Sequence, residues 1–276
     1  MNTMPMISIV SPIWLNDHSN DPDLILLDAS QESNVAGGSL NFGGIQIFNA
    51  RHFDLKDQFS DKKSDLPNTL PSPIDFQLAA QKIGINNTSK IIIYDDRGIY
   101  TSPRVWWMFK AMGHENVAVL DGGLPNWIEH GYSTEPVQSK PFFNGDFTST
   151  YRDEKIKNFQ AVQTLSETQD SLIIDARSTD RFYSLIPEPR QGLRSGNIPN
   201  SVNFPFQDVL TNGKMKSPDE LKSVFKSILN DDRPLVFSCG SGVTACISLL
   251  ACNLILENEL SVYDGSWTEW ARFTVP

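Results

Sequence analysis

Cysteine is scarce in these 276 residues, and basic side chains are outnumbered by acidic ones. Only Cys239, Cys246 and Cys252 occur, all within one short stretch. An odd, clustered set with no partner elsewhere cannot staple distant parts of a chain. That excludes a disulfide framework and points to a reducing compartment. No Cys-x-x-Cys pair and no histidine cluster offers ligands to a metal, so no metal site is expected. The chain carries 23 Lys+Arg against 33 Asp+Glu, for a formal net charge of −10. Such a surface argues against partners that are nucleic acids or anionic membranes, since both are gripped through positive potential. Long apolar runs are missing as well. Nothing approaches a membrane span, and Met1 to Leu15 lacks a basic stretch followed by an apolar core. A cytoplasmic location is the expectation, with an organelle matrix left open.

What is present is the composition of a soluble globular chain, 39% hydrophobic and 20% charged, long enough for one large domain or two ordinary ones. An internal duplication decides for two. Leu24-Ile25-Leu26-Leu27-Asp28-Ala29-Ser30 reads as a buried strand ending in an acid, and Leu172-Ile173-Ile174-Asp175-Ala176-Arg177-Ser178 reads the same way. Ile91-Ile92-Ile93-Tyr94-Asp95 pairs likewise with Pro234-Leu235-Val236-Phe237-Ser238-Cys239. Val117 to Gly123, followed by Trp127, pairs with Leu260 to Ser266, followed by Trp270. The three offsets lie between 143 and 147 residues, a period that means duplicated domains and not a solenoid. Each half alternates apolar strands with helical stretches such as 104–112 and 243–256. The predicted fold class is therefore α/β, two tandem domains, each a mainly parallel sheet flanked by helices. The expected domains are 1–135 and 159–276. Residues 136–158, polar and without periodicity, read as the linker between them.

Cys239 closes an apolar strand and precedes Gly240-Ser241-Gly242, after which helical spacing begins. In a strand–loop–helix unit, ligands bind at the loop beyond the carboxyl end of the strand. Two glycines let such a loop turn tightly and aim successive amides inward, and the helix N-terminus behind them favours negative charge. A cysteine placed there is expected to react as its thiolate. The competing reading, an inert buried thiol, suits Cys246 and Cys252 better, because they follow helical core spacing with Leu249, Leu250 and Leu256. The first copy of the repeat has Asp95 where the second has Cys239, so one half is expected to be active and the other silent.

Cys239-Gly240-Ser241-Gly242-Val243-Thr244-Ala245 resembles the active-site loop of the two-domain rhodanese family, in particular its 3-mercaptopyruvate sulfurtransferases. The resemblance extends over Tyr94-Asp95, Ser102 to Met108, Asp175-Ala176-Arg177, Arg181-Phe182, Pro187 to Arg190 and Asp264 to Trp270. It implies that Cys239 takes sulfur from 3-mercaptopyruvate as a persulfide, releases pyruvate, and passes the sulfur to a thiol, cyanide or thioredoxin-like acceptor. No cofactor is implied, since the persulfide carries the reactive group. Arg181 and Arg190 correspond to the family's substrate arginines, and a guanidinium fork suits a keto acid's carboxylate. Ser241 is the family's candidate for handling a proton at the leaving enolate. Gly240, Gly242, Val243 and Thr244 complete the substrate loop, with Thr244 expected to cap or tighten the helix start.

The chain also departs from the family. Where many members carry His-Ile-Pro-Gly in each domain, this one has Gln46-Ile47-Phe48-Asn49 and Asn197-Ile198-Pro199-Asn200. A serine–histidine–aspartate relay through the first-domain histidine is therefore not expected. His52 stands six residues beyond Gln46, while His18, His114 and His130 fall in polar surroundings that read as exposed. Thiosulfate remains an alternative donor, although the neutral Gly240 and Ser241 stand where thiosulfate-preferring members place basic residues. A non-enzymatic persulfide carrier is the second alternative. A phosphatase is excluded, because Ala245 stands where that chemistry needs an arginine.

Overall fold

The computed structural model describes residues 7–31, 44–138 and 140–274. Met1 to Met6, part of the N-terminal stretch considered above, lie outside them. The chain divides into two compact units. The first comprises Met1–Lys62, Leu70–Arg152 and Asn212–Lys214, and the second Lys63–Thr69, Asp153–Thr211 and Met215–Pro276.

In the first unit the strands are β1 (Ile9–Val10), β2 (Leu24–Asp28), β3 (Ile45–Ile47), β4 (Arg51–His52), β5 (Lys90–Tyr94), β6 (Val117–Leu120) and β7 (Thr134–Pro136). The helices are α1 (Pro12–Asp17), α2 (Pro73–Lys82), α3 (Ser102–Ala111) and α4 (Gly123–Glu129). Five strands form a parallel sheet in the order β1-β6-β5-β2-β4, and β3 pairs antiparallel with β7. Leu26, Ile92, Tyr94, Ala118 and Leu120 on one face pack with Leu15 of α1 and with Leu124 and Trp127 of α4. The alternate residues Ile25, Leu27, Ile91 and Ile93 are equally buried. A sheet covered on both faces needs apolar side chains at every position, which is why these strands read as unbroken runs.

The second unit adds β8 (Ile156–Lys157), β9 (Leu172–Asp175), β10 (Val202–Asn203), β11 (Leu210–Thr211), β12 (Lys214–Met215, of which only Met215 belongs to this unit), β13 (Leu235–Ser238) and β14 (Leu260–Tyr263). Its helices are α5 (Phe159–Thr168), α6 (Thr179–Phe182), α7 (Pro218–Val224), α8 (Ala245–Asn253) and α9 (Ser266–Phe273). Its parallel sheet runs β10-β9-β13-β14-β8. Read from the other edge, this is the order of the first sheet, strand for strand. Asp95 after β5 and Cys239 after β13 therefore occupy equivalent ends of equivalent strands.

Residues 136–158 behave differently from a free linker. Residues 140–152 run along the first unit, where Gly145 N–H donates to the Gln81 carbonyl at 2.8 Å and Thr150 N–H to the Met112 carbonyl at 2.9 Å. Phe147, 1% exposed, joins the rings of Phe76 and Phe109. A side chain at Gly145 would collide with the backbone of Ile85, so this close approach needs glycine. One inserted ring and a few main-chain bonds leave no periodic trace in the sequence.

Candidate active site

The apolar strand β13 is buried throughout and delivers Cys239, itself 1% exposed, to the top of the second sheet. Only one of the two flanking glycines supplies the turn: Gly242 has φ +77°, a left-handed conformation that favours glycine. Gly240 supplies room instead. A Cβ there would lie 3.0 Å from Arg181 Nη2 and 3.5 Å from Arg190 Nη1.

The loop is held from the start of α9. Cys239 N–H and Gly242 N–H both donate to Ser266 Oγ, at 3.2 and 3.1 Å, and Ser266 O–H donates to the Tyr263 carbonyl at 2.9 Å. Trp267 N–H donates to the Cys239 carbonyl at 2.9 Å, and Thr268 Oγ1 donates to the Gly240 carbonyl at 2.6 Å. Two of the loop amides expected to face a ligand are thus spent on Ser266. Those of Gly240, Ser241, Val243 and Thr244 have no acceptor among the described residues. Thr244 occupies the N-cap position of α8, but its side chain makes no capping bond, contrary to expectation. Cys246 and Cys252 are fully buried in α8, and burial pushes the Cys252 thiol far up, as expected of core thiols.

The two arginines expected to meet substrate converge on this loop. Arg190 Nη2 donates to Ser241 Oγ at 3.0 Å. Arg181 is forked onto Glu188, through Nε at 3.2 Å and Nη2 at 2.6 Å. Glu188 in turn accepts from Arg177 Nη1 at 2.9 Å, and Arg177 is bonded through Nε and Nη2 to both oxygens of Asp175. Arg177 lies over the Trp267 ring at 4.4 Å, and Arg194 over the same ring at 4.8 Å. This chain of buried ion pairs fixes where the Arg181 guanidinium points. Glu188, Ser266 and Thr268 fall inside stretches that carry the resemblance, but nothing in the sequence gave them these roles, and Ser266 and Thr268 act on the loop from more than twenty residues away.

The first unit shows what its own loop does with an anion. Asp95 Oδ2 accepts from the amides of Tyr100, Thr101 and Ser102, each at 2.9 Å, and from Ser102 Oγ at 2.7 Å. Arg97 N–H donates to Oδ1 at 3.0 Å. Full burial still raises the Asp95 carboxyl, against the pull of these donors. The cradle of the first copy is filled by its own carboxylate.

Gln46 stands apart from any such chemistry. It is buried in β3 of the first unit, with Nε2 donating to the Ala50 carbonyl at 3.1 Å and to Glu135 Oε1 at 2.9 Å. His52, His18 and His130 are exposed. His114 corrects the reading from sequence: it is 4% exposed, its Nε2 lies 2.9 Å from the Ser89 carbonyl, and burial among Phe109 and Phe147 lowers its pKa.

Comparison with known proteins agrees with this architecture. The family model described as rhodanese-like domain matches twice, over residues 11–130 and 158–273. Among curated relatives, the 3-mercaptopyruvate sulfurtransferase of Escherichia coli (strain K12) is 35% identical over 277 residues, covering 95% of each chain. The Arabidopsis thaliana protein named thiosulfate/3-mercaptopyruvate sulfurtransferase 1, mitochondrial, is 37% identical over 287 residues, covering 95% of this chain and 76% of that one. The crystal structure of SseA from Escherichia coli superposes with a TM-score of 0.82 at 33% identity, covering 95% of this chain and 99% of its own. The chain belongs to the rhodanese-like family, carries two such domains and is a sulfurtransferase. Among the described residues, no helix is long and apolar enough to cross a membrane.

Proposed function

We propose that the chain takes sulfur from 3-mercaptopyruvate onto Cys239 and passes it to a thiol, cyanide or thioredoxin-like acceptor, releasing pyruvate. The observation that carries this reading is the convergence of Arg181 and Arg190 on Gly240, the residue next to Cys239. Two guanidiniums beside a nucleophile suit a substrate with a carboxylate and an adjacent carbonyl. The Cys239 thiolate attacks the donor's thiol sulfur, and the carbon–sulfur bond breaks with its electron pair left on carbon as the pyruvate enolate. Ser241 hands its hydroxyl proton to that carbon. The new persulfide S–H loses its proton, which returns through water to Ser241 Oγ. The open amides of Gly240, Ser241, Val243 and Thr244 suit the persulfide anion that results.

In this account 1–135 is the silent domain, with Asp95 where the nucleophile would stand, and 159–276 the active one. A cytoplasmic location fits, and an organelle matrix fits equally. The Arabidopsis relative's name includes thiosulfate, and two arginines would also hold that dianion, so thiosulfate is the second reading. Neutral Gly240 and Ser241 favour the keto acid. Steady-state turnover with each donor separates the two: kcat/KM is expected to be higher with 3-mercaptopyruvate, and a higher value with thiosulfate would reverse the assignment.

A further inference from the structure

Ser241 has a hydrogen-bond partner outside its own loop. The segment Lys63–Thr69 belongs to the second unit although its sequence neighbours belong to the first. It is a tight turn tied to itself: Leu66 N–H donates to Ser64 Oγ at 3.1 Å, and Thr69 Oγ1 donates to the Leu66 carbonyl at 3.1 Å. Arg272 of α9 anchors it, with Nη1 donating to the Asp65 carbonyl at 3.2 Å. At its end Asn68 adopts φ +59°, a left-handed conformation that asparagine tolerates better than most residues. Its Nδ2 lies 3.3 Å from the Ser241 carbonyl and 3.2 Å from Ser241 Oγ. The carbonyl can only accept, so the amide nitrogen and not the amide oxygen faces Ser241, and each of its two hydrogens has a partner.

A serine hydroxyl has two lone pairs and one proton. Asn68 Nδ2 fills one lone pair and Arg190 Nη2, at 3.0 Å, fills the other. The proton must then point in the remaining direction, away from both donors. We infer that Asn68 is a positioning residue for sulfur transfer: with Arg190 it turns the Ser241 proton toward the leaving group. When that proton passes to the enolate carbon, the same two donors hold the charge left on Ser241 Oγ until the persulfide proton returns through water. Donors to a charged form favour it. The arrangement gives Ser241 an orienting partner in a chain whose Gln46 is committed elsewhere. The inference rests on the 3-mercaptopyruvate reading above.

Two variants test it. Asn68→Gly deletes the amide while keeping the left-handed backbone. Asn68→Asp keeps the shape but turns a donor into an acceptor that competes for the Ser241 proton. The readout is pyruvate released in a single turnover of 3-mercaptopyruvate, compared with persulfide formed from thiosulfate, whose departing sulfite takes up no proton at carbon. Both variants should release pyruvate about tenfold more slowly or worse, the loss expected for one hydrogen bond to a charged group. The loss with thiosulfate should be clearly smaller, and KM for 3-mercaptopyruvate should change little. Undiminished pyruvate release, or equal losses on both donors, would overturn the inference alone. A wild-type chain that released no pyruvate would overturn the donor reading and the inference with it.

Discussion

Arg190 and Arg181 approach the same glycine but are held differently, and the difference separates their roles. Arg190 contacts Ser241 Oγ directly, whereas Arg181 is pinned by a buried acid that also holds Arg177. Arg190→Gly should therefore weaken 3-mercaptopyruvate use more than thiosulfate use, by about ten- to a hundredfold in kcat/KM, as loss of a charge-assisted contact predicts. Equal loss on the two donors would mark Arg190 as a general electrostatic residue. Among the described residues Arg177 has no hydrogen bond to the loop, and it is fully buried between Asp175 and Glu188. Arg177→Met leaves the buried Asp175 carboxylate without its ion-pair partner and strips Glu188 of one of its two, and should cost about 3–5 kcal/mol in urea unfolding. A cost under about 1 kcal/mol would mean the network contributes nothing to stability. Arg181 and Arg190 were legible only through the family resemblance, supported by the Pro187-Glu188-Pro189 that precedes Arg190. The acid linking Arg181 to Arg177 was not, because a single glutamate reads as surface until its burial is known.

The loop after β13 is shaped by an element that sequence order keeps far from it. Strand, glycines and helix were readable from apolar runs and from Gly240 and Gly242. The contribution of α9 was not, since Ser266 acts through a φ of +51° and one hydroxyl, neither of which has a periodic signature. Its Oγ is the acceptor for two buried amides at once. Ser266→Ala would remove this shared acceptor, so we expect a loss of about 2 kcal/mol or more in unfolding free energy, together with slower turnover. Cys252→Ala, inside α8, should lower stability by deleting core volume but leave the ratio of rates on the two donors unchanged. If Ser266→Ala matched wild type in both stability and rate, the loop would owe nothing to α9. The strap of 140–152 escaped notice for the same physical reason: Gly145 and Phe147 are isolated contacts, and periodicity detects only repeated ones.

At the scale of the molecule, one architecture appears twice with different occupants. Both sheets have the same strand order, which the constant spacing of the apolar runs already implied. In the first unit the loop closes on the Asp95 carboxylate, while in the second the equivalent loop presents Cys239 and four amides with no acceptor among the described residues. The first copy's cradle is thus occupied by its own side chain, and in the proposed function the second is the one that holds a reacting anion. The first copy's acids also shape its pH response. Asp96, half-buried beside Asp95, has its carboxyl pushed by burial from 3.8 up to about 6. Below the lower value both folded and unfolded chains carry this proton, and between the two values only the folded chain does. Stability therefore falls as pH rises through that window. Asp96→Asn should flatten this part of the profile, measured by urea unfolding at intervals from pH 4 to 7, and an unchanged slope would remove Asp96 as its source.

Whether Cys239 carries the transferred sulfur is read from intact-protein mass spectrometry after incubation with 3-mercaptopyruvate, with pyruvate assayed in the same tube. The wild-type chain should gain one sulfur, lost again on reduction, with pyruvate released, whereas Cys239→Ala should gain none and release none. Pyruvate formation by Cys239→Ala at the wild-type rate would mean that another group takes the sulfur.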